Sequence, residues 1–396
     1  MFLDADLLFA ATQFAGFSIA ILAAILSIAR RGHNRTRYVL AALFLALAAS
    51  ELSSVTEIVI LQAPQMFLDV IRIASFVATF AIAPLLVQYV RHLIVFGDPP
   101  NPMASLGWHM PLPIGAAIVG VLFLILDVSE REGLFGGGRF DLLTVQARAV
   151  GLALVVLEFL IHIQWLVCVA WIFRAQLNRL KDLRQHFAST QGMELRWVSL
   201  VAGAIGVYTL ISLTDFLAVI LDHGALISEQ LDSLLILIVV TILALWGLRP
   251  SIGVARASQE IATENRGVPK YQKSALGVDQ AERIARKLQA AMRDDKQYRN
   301  PNLTLSALSK HIGVTPNYVS QTLNERVGQS FFEFVNSWRV EEAIPLLLKG
   351  ENTVLTIAYE VGFNSRSSFY TAFKVKTGQT PSGYKKTRTS ETTVMM

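Results

Sequence analysis

Ile357-Ala358-Tyr359-Glu360-Val361-Gly362-Phe363-Asn364-Ser365-Arg366-Ser367-Ser368-Phe369 is the stretch on which the reading of this chain turns. Ile357, Ala358 and Val361 fall on one face of a short helix. Gly362 follows, a residue that tolerates the left-handed backbone of a sharp turn. Ser365 stands where the next helix wants an N-cap. That helix carries Phe369 and Phe373, four apart. A short helix, a glycine turn and a second helix make a helix-turn-helix unit.

The same pattern occurs upstream. With Gly313 placed over Gly362, Leu308 falls on Ile357 and Ile312 on Val361. One extra residue in the second turn brings Val319 onto Phe369, Leu323 onto Phe373 and Gly328 onto Gly378. Thr315 is the capping counterpart of Ser365. Between the units, Phe331 to Leu348 is a longer apolar-periodic helix with Phe334, Val335, Trp338, Ala343, Leu346 and Leu347, suited to hold them at a fixed spacing. Pro345 inside it predicts a kink. One such pattern would fit any helical hairpin; two in register argue for a repeated unit.

The stretch from Leu303 to Tyr384 resembles the DNA-binding domain of the AraC/XylS family of transcription regulators. The residues that carry the resemblance are Ile357-Ala358, Val361-Gly362-Phe363-Asn364-Ser365, Ser368-Phe369, Phe373-Lys374, Gly378, Thr380-Pro381 and Tyr384. Thr304-Leu305, Leu308, Gly313, Ser320, Asn336-Ser337-Trp338-Arg339-Val340 and Ala343 agree. The resemblance implies that the second helix of each unit enters a major groove, the two about one DNA turn apart. Carried over by position, the base-facing residues are Asn317, Ser320 and Gln321 in the first unit and Arg366, Ser367 and Thr371 in the second. Arg366 is the chief candidate, because a guanidinium pairs bidentately with guanine. Thr371 stands where relatives often carry a longer polar side chain. Lys374 and Lys385, with Lys310, Lys376 and Lys386, read as phosphate contacts or as a solvated basic face.

Charge is divided unevenly. Residues 249–396 hold 21 Lys+Arg and 13 Asp+Glu, net +8, while residues 1–248 hold 14 and 17, net −3. A basic domain with two groove-reading helices is the electrostatic footprint of a DNA binder.

The first 248 residues are apolar, with Lys181 their only lysine. A spanning helix needs about 20 mostly apolar residues. Seven runs qualify: 7–29, 38–61, 67–96, 109–127, 146–173, 197–221 and 229–248. The first is no signal peptide, since Asp4 and Asp6 lead it and Arg30-Arg31 follow. Arg30, Arg31, Arg35 and Arg37 follow the first run, Arg174, Arg179, Lys181, Arg184 and Arg196 lie in the loop after the fifth, and Arg249 follows the seventh. The alternate loops hold Arg131 and Arg139 among Glu130, Glu132 and Asp141. The positive-inside rule then puts the N-terminus outside a bacterial inner membrane and the C-terminal domain in the cytoplasm.

The expected fold is all-α: a seven-helix transmembrane bundle over residues 1–248, a linker over 249–278, a soluble double helix-turn-helix domain over 279–388 and a disordered tail over 389–396. Asp279 to Arg293 is an added helix at the start of that domain. Lys270-Tyr271-Gln272-Lys273-Ser274 resembles the corresponding stretch of membrane-tethered members of the family.

No HExxH, P-loop or Gly-x-Ser-x-Gly sequence is present, so no catalytic residue, cofactor or metal site is expected. The single cysteine, Cys168, reads as packing. Ionisable residues inside the apolar runs are costly and face the bundle interior. They are Glu51, Glu57, Arg72, Glu158, His162, Asp215 and Asp232. Interhelical polar contacts are the plain reading. A sensor site is the sharper one, with Glu57, Arg72, Asp215 and Asp232 toward the outer leaflet and able to line one cavity. Arg72 needs a carboxylate partner, for which Glu57, Asp215 and Asp69 are candidates.

The function expected is a membrane-bound one-component transcription regulator, with duplex DNA, the lipid bilayer and an unknown small-molecule or membrane signal as partners and a homodimer left open. The alternatives are a transporter or intramembrane enzyme with an autoregulatory DNA-binding tail, and a constitutive DNA-to-membrane tether.

Overall fold

The computed structural model describes residues 5–29, 35–59, 64–94, 107–135, 143–190, 195–248 and 276–394. Arg30, Arg31, Arg139, Asp141, nearly all of the expected linker and the Lys270 to Ser274 word lie outside these residues. The described chain is helical, with an isolated bridge between Phe187 and Thr304. It divides into two compact units, residues 1–176 with 195–250, and residues 177–194 with 251–396.

The first unit contains α1 (Ala5–Ala29), α2 (Arg35–Val59), α3 (Gln65–Ile94), α4 (Pro111–Ile125), α5 (Val128–Phe135), most of α6 (Val145–His186), α7 (Arg196–Ile220) and α8 (Glu229–Gly247). Six of these, α1, α2, α3, α6, α7 and α8, are long and apolar enough to cross a membrane. Their outer faces carry exposed Leu22, Ile25, Leu152, Val167, Leu200 and Leu245.

The fourth expected run is where observation and expectation differ. It forms α4, 15 residues long, about 22 Å at 1.5 Å per residue. Pro111 starts the helix within its first turn, and Leu126 ends it in an extended conformation. Together α4 and α5 run back along the first half of α3, from Phe80 to Asp69. Ala116 packs at the level of Phe80, and Phe123 and Leu126 at Ile73. Arg131 on α5 reaches Asp69, in the first turns of α3, at 2.6 Å. Helix α6 returns in the direction of α3: Ala147 and Val150 meet Ile73, Leu157 and Ile161 meet Phe80, and Cys168 meets Ala83 and Val87. Cys168 is packing, as its apolar neighbours require. At the other end of the unit, the Tyr89 hydroxyl donates to the Gly247 carbonyl at 3.1 Å, and Trp197 stacks on Trp246.

The second unit contains residues 177–190 and helices α9 (Val278–Arg293), α10 (Leu305–Ile312), α11 (Pro316–Thr322), α12 (Phe331–Lys349), α13 (Val354–Glu360), α14 (Arg366–Thr377) and α15 (Pro381–Val394). It has two cores. Ile284, Leu288 and Met292 of α9 join Leu308, Val319 and Leu323 in the first. Ile357, Val361, Phe369 and Phe373 form the second. Helix α12 serves both, giving Phe331, Phe334 and Val335 to the first and Val340, Ala343 and Leu347 to the second. The helix runs on through Pro345. Helix α15 reaches Val394, past the point where a disordered tail is expected from sequence.

Candidate functional site

Each helix-turn-helix turn rests on a glycine in the left-handed region, Gly313 at φ 66° and Gly362 at φ 100°. The reasons differ. A Cβ on Gly313 would meet open space, so the backbone angle alone selects glycine there. A Cβ on Gly362 would lie 2.6 Å from the Tyr298 carbonyl oxygen and 2.7 Å from that of Arg299. Close approach and backbone angle both exclude a side chain at that turn.

The caps also differ. Ser365 accepts a hydrogen bond from the Ser368 amide, as its position predicts. Thr315 occupies the N-cap position of α11 in extended conformation, but its side chain makes no cap bond. Pro316 follows it, and proline at a first helical position presets the backbone without help.

Helix α14 presents Arg366, Ser367 and Thr371 on an exposed face. The Arg366 guanidinium lies 4.9 Å from the centre of the Tyr370 ring and donates to its hydroxyl at 3.1 Å. This arrangement holds an exposed guanidinium extended along the helix. The Thr371 hydroxyl donates back to the Ser367 carbonyl at 3.0 Å. On α11, Asn317 is exposed and Ser320 half-buried, and Gln321 donates to Glu325 at 3.1 Å and 3.2 Å. Lys374 is exposed. Lys376 pairs with Glu341 at 2.8 Å. Lys385 lies against Gly350, the left-handed C-cap of α12, where a cation also favours the helix dipole.

Arg339, on α12 between the two cores, is fully buried. Its guanidinium donates to the carbonyls of Tyr298 at 2.7 Å, Asn300 at 2.8 Å and Ala188 at 3.4 Å, and to the Asn336 side chain at 3.1 Å. Burial pushes it down to about 10, so it stays charged at neutral pH. Lysine cannot reproduce this fork of donors.

Ala188 belongs to the segment between the fifth and sixth apolar runs, which reads as a loop from sequence. Helix α6 continues past the fifth apolar run to His186. Phe187 and Ala188 are then buried within the second unit. Ala188 donates its amide to the Leu303 carbonyl at 3.1 Å, and Phe187 bridges Thr304 at the start of α10. No periodicity announces this, since a single bridge at the end of a helix leaves no repeating pattern.

The polar residues of the first unit fall into two groups. Arg72 pairs with Glu57 at 2.8 Å and Asp69 at 3.1 Å, and Arg131 completes Asp69. Two guanidinium groups and two carboxylates neutralise one another there. Asp215 and Asp232 line a separate cavity of about 420 Å³ with Gln13, Ser212 and Glu229. Glu51, half-buried on α2, interacts electrostatically with Asp232. Glu158 and His162 lie on α6, where His162 Nδ1 meets the Glu158 carbonyl at 2.7 Å and Nε2 meets the Ser212 hydroxyl at 3.2 Å. The expected single cavity is thus an ion-pair cluster and an acidic cavity. Gln13 and Glu229 were not singled out from sequence, because a lone polar residue near a helix end carries no pattern. Among the described residues, no group of three or more His, Cys, Asp or Glu could hold a metal ion.

Comparison with known proteins bears on the second unit. Residues 308–387 match a family model described as a helix-turn-helix domain. An uncharacterised HTH-type transcriptional regulator of Staphylococcus aureus (strain COL) is 37% identical over 84 residues, 21% of this chain and 11% of that protein. A putative AraC-like transcription regulator of Streptomyces lividans is 32% identical over 83 residues, 21% of this chain and 27% of that protein. The chain therefore spans only a small part of the length of these relatives. Among solved structures, the C-terminal domain of AraT, a response regulator from Geobacillus stearothermophilus, is 31% identical, with a TM-score of 0.25, 29% of this chain and 88% of that one covered. The repeat, its glycine turns and the sequence matches agree: residues 308–387 of this chain are a helix-turn-helix domain similar to that of AraC-like transcription regulators.

Proposed function

We propose that this chain is a membrane-bound transcription regulator. It reads duplex DNA through α11 and α14 and receives its signal through the apolar helices of the first unit. The observation that carries the reading is the joining, in one chain, of an AraC-type helix-turn-helix domain to six long apolar helices. Outward-facing leucines such as Leu200, 71% exposed, suit a lipid surround and are costly in water.

The passage of α4 and α5 along α3 supports a seventh crossing. Helices α3 and α6 run the same way, so the chain between them must return. Seven crossings keep every arginine-rich loop on the side of the C-terminal domain, as the positive-inside rule requires. The bilayer adapts to a short helix by thinning locally.

Base readout rests on Arg366, Ser367 and Thr371 of α14 and on Asn317, Ser320 and Gln321 of α11, with Lys374 on phosphate. Lys385 serves DNA less directly than its position suggests, since it sits against the end of α12. Helix α6 passes the signal on: it belongs to both units, and Phe187 and Ala188 at its end bond to the residues that open α10. A regulator needs such an element with two arrangements that a ligand can bias.

The test is a genome-wide map of bound DNA with transcript changes on deletion, paired with cytoplasm-only and periplasm-only reporters after Arg184, Arg256, Gln65 and Gly224. Bound promoters whose transcripts change, with cytoplasmic activity after Arg184 and Arg256 alone, support the reading. A cytoplasmic signal after Gly224 overturns the orientation, and an absence of bound sites overturns the DNA function.

A further inference from the structure

We propose that the acidic cavity among α1, α7 and α8 binds a small organic cation, a protonated amine or guanidinium carrying several N–H donors. The cavity holds about 420 Å³, within the range of small-molecule sites. Asp215, Glu229 and Asp232 give it three carboxylates, and none of its lining residues is Lys or Arg. The neighbouring Arg72 cluster is neutral within itself, whereas this cavity supplies no cation of its own.

An independent observation points the same way. Gln13 is only 8% exposed, it lines the cavity, and its Oε1 is buried without a hydrogen-bond partner. A buried acceptor left unmade costs about 1–3 kcal/mol. Turned toward the cavity that the residue lines, this oxygen would accept from a ligand N–H. The carboxylates are held in place beforehand. Asp215 Oδ1 accepts from the amides of Leu226 at 2.6 Å and Ile227 at 2.9 Å, and Asp232 Oδ1 accepts from the Tyr208 hydroxyl at 3.0 Å. Each carboxylate has about four acceptor positions, so both keep capacity for a ligand.

The chemistry selects an organic cation over a metal ion. Among the described residues the carboxylates are too dispersed to close on one ion. Phe9 and Ile227 add apolar wall, and an aromatic face also attracts ammonium groups. Occupancy has a route onward, since Ser212 on the cavity wall meets His162 of α6 at 3.2 Å. That the ligand alters DNA binding rests on the function proposed above; that it binds does not.

The experiment uses the full chain in phosphatidylglycerol nanodiscs, with putrescine, spermidine and agmatine as probes and magnesium and glutamate as controls, read by calorimetry. Saturable binding of at least one amine is expected, weakened tenfold or more by Asp232→Asn and by the near-isosteric Gln13→Leu, and unchanged by Glu57→Gln in the other cluster. Phosphatidylethanolamine added to the nanodiscs separates the sources of the amine: if it lowers the apparent affinity of the probe, a lipid headgroup reaches the same site. Absence of saturable amine binding overturns the proposal, as does binding that both cavity variants leave intact or that magnesium matches. DNA affinity measured on the same samples keeps the two readings apart. Amine binding with unaltered DNA affinity supports the cavity and removes its regulatory role. Specific DNA binding without amine binding retains the regulator and overturns the cavity.

Discussion

The two helix-turn-helix halves repeat one another in sequence and differ in what packs on them. The first half shares its core with α9 and with Ala188, and its α10 opens against Phe187. Its recognition helix is seven residues long, starts on proline and carries no side-chain cap. The second half has a twelve-residue recognition helix with a serine cap, and is closed by Tyr384 of α15 packing on Phe373. Two copies of one motif thus sit in different surroundings. Under the proposed function both read DNA, and the first half, which meets the residues at the end of α6, is also the one through which the signal arrives. Arg339, between them, touches both sides: it bonds to Tyr298, Asn300 and Ala188 and lies 5.4 Å from the Phe363 ring.

The largest expected effect follows from that residue. Arg339→Ala removes four hydrogen bonds donated by a buried cation, each worth about 1.5–3 kcal/mol. Chemical denaturation of the second unit should show both halves destabilised. Loosening of only one half would break the view that Arg339 joins them. The turns sharpen the comparison next. Gly362→Ala meets two backbone oxygens as well as an unfavourable φ, whereas Gly313→Ala meets only the φ, worth about 1–2 kcal/mol. Gly362→Ala should be the worse by at least as much again; equal losses would mean that the second turn relaxes away from Tyr298 and Arg299.

DNA readout comes third. Arg366→Ala should cost about 1–3 kcal/mol of discrimination at one base position. Lys374→Ala should weaken all sequences alike. An unchanged sequence preference in Arg366→Ala would mean that α14 is not the helix in the groove. The smallest effect lies in the caps. Ser365→Ala should lower stability by about 1 kcal/mol, while Thr315→Ala should change little, because its side chain makes no cap bond. Thermal unfolding of both variants decides whether the halves differ in this respect.

Much of the second unit was legible from spacing. Gly313 and Gly362, the apolar positions four apart and the bridging helix from Phe331 all express a helical period that sequence preserves. The sharing of α12 between two cores was also implied, since Phe334 and Ala343 lie toward opposite ends of one apolar stripe. The docking of Phe187 and Ala188 was not, because one backbone bridge has no period and alanine no distinctive chemistry. The apolar runs were plain by length, but α4 is shorter than its run, as Pro111 starts it late and Leu126 ends it. Of the buried charges, Arg72 could be matched in advance to its partners Glu57 and Asp69, with Asp215 the candidate it does not meet; the other pairings could not. That Asp69 draws Arg131 from α5 while Asp215 turns to the backbone of its own loop depends on which helix ends meet. Hydropathy does not encode that.

The central claim is that both halves read DNA while the chain sits in a membrane. Footprinting the full-length protein in lipid nanodiscs, on a segment recovered from the genomic map, tests it most directly. The account predicts two protected major-groove segments about one helical turn, roughly 34 Å, apart, with Arg366→Ala removing base contacts from only one. A single protected segment in the unaltered protein, or protection without sequence preference, would contradict it.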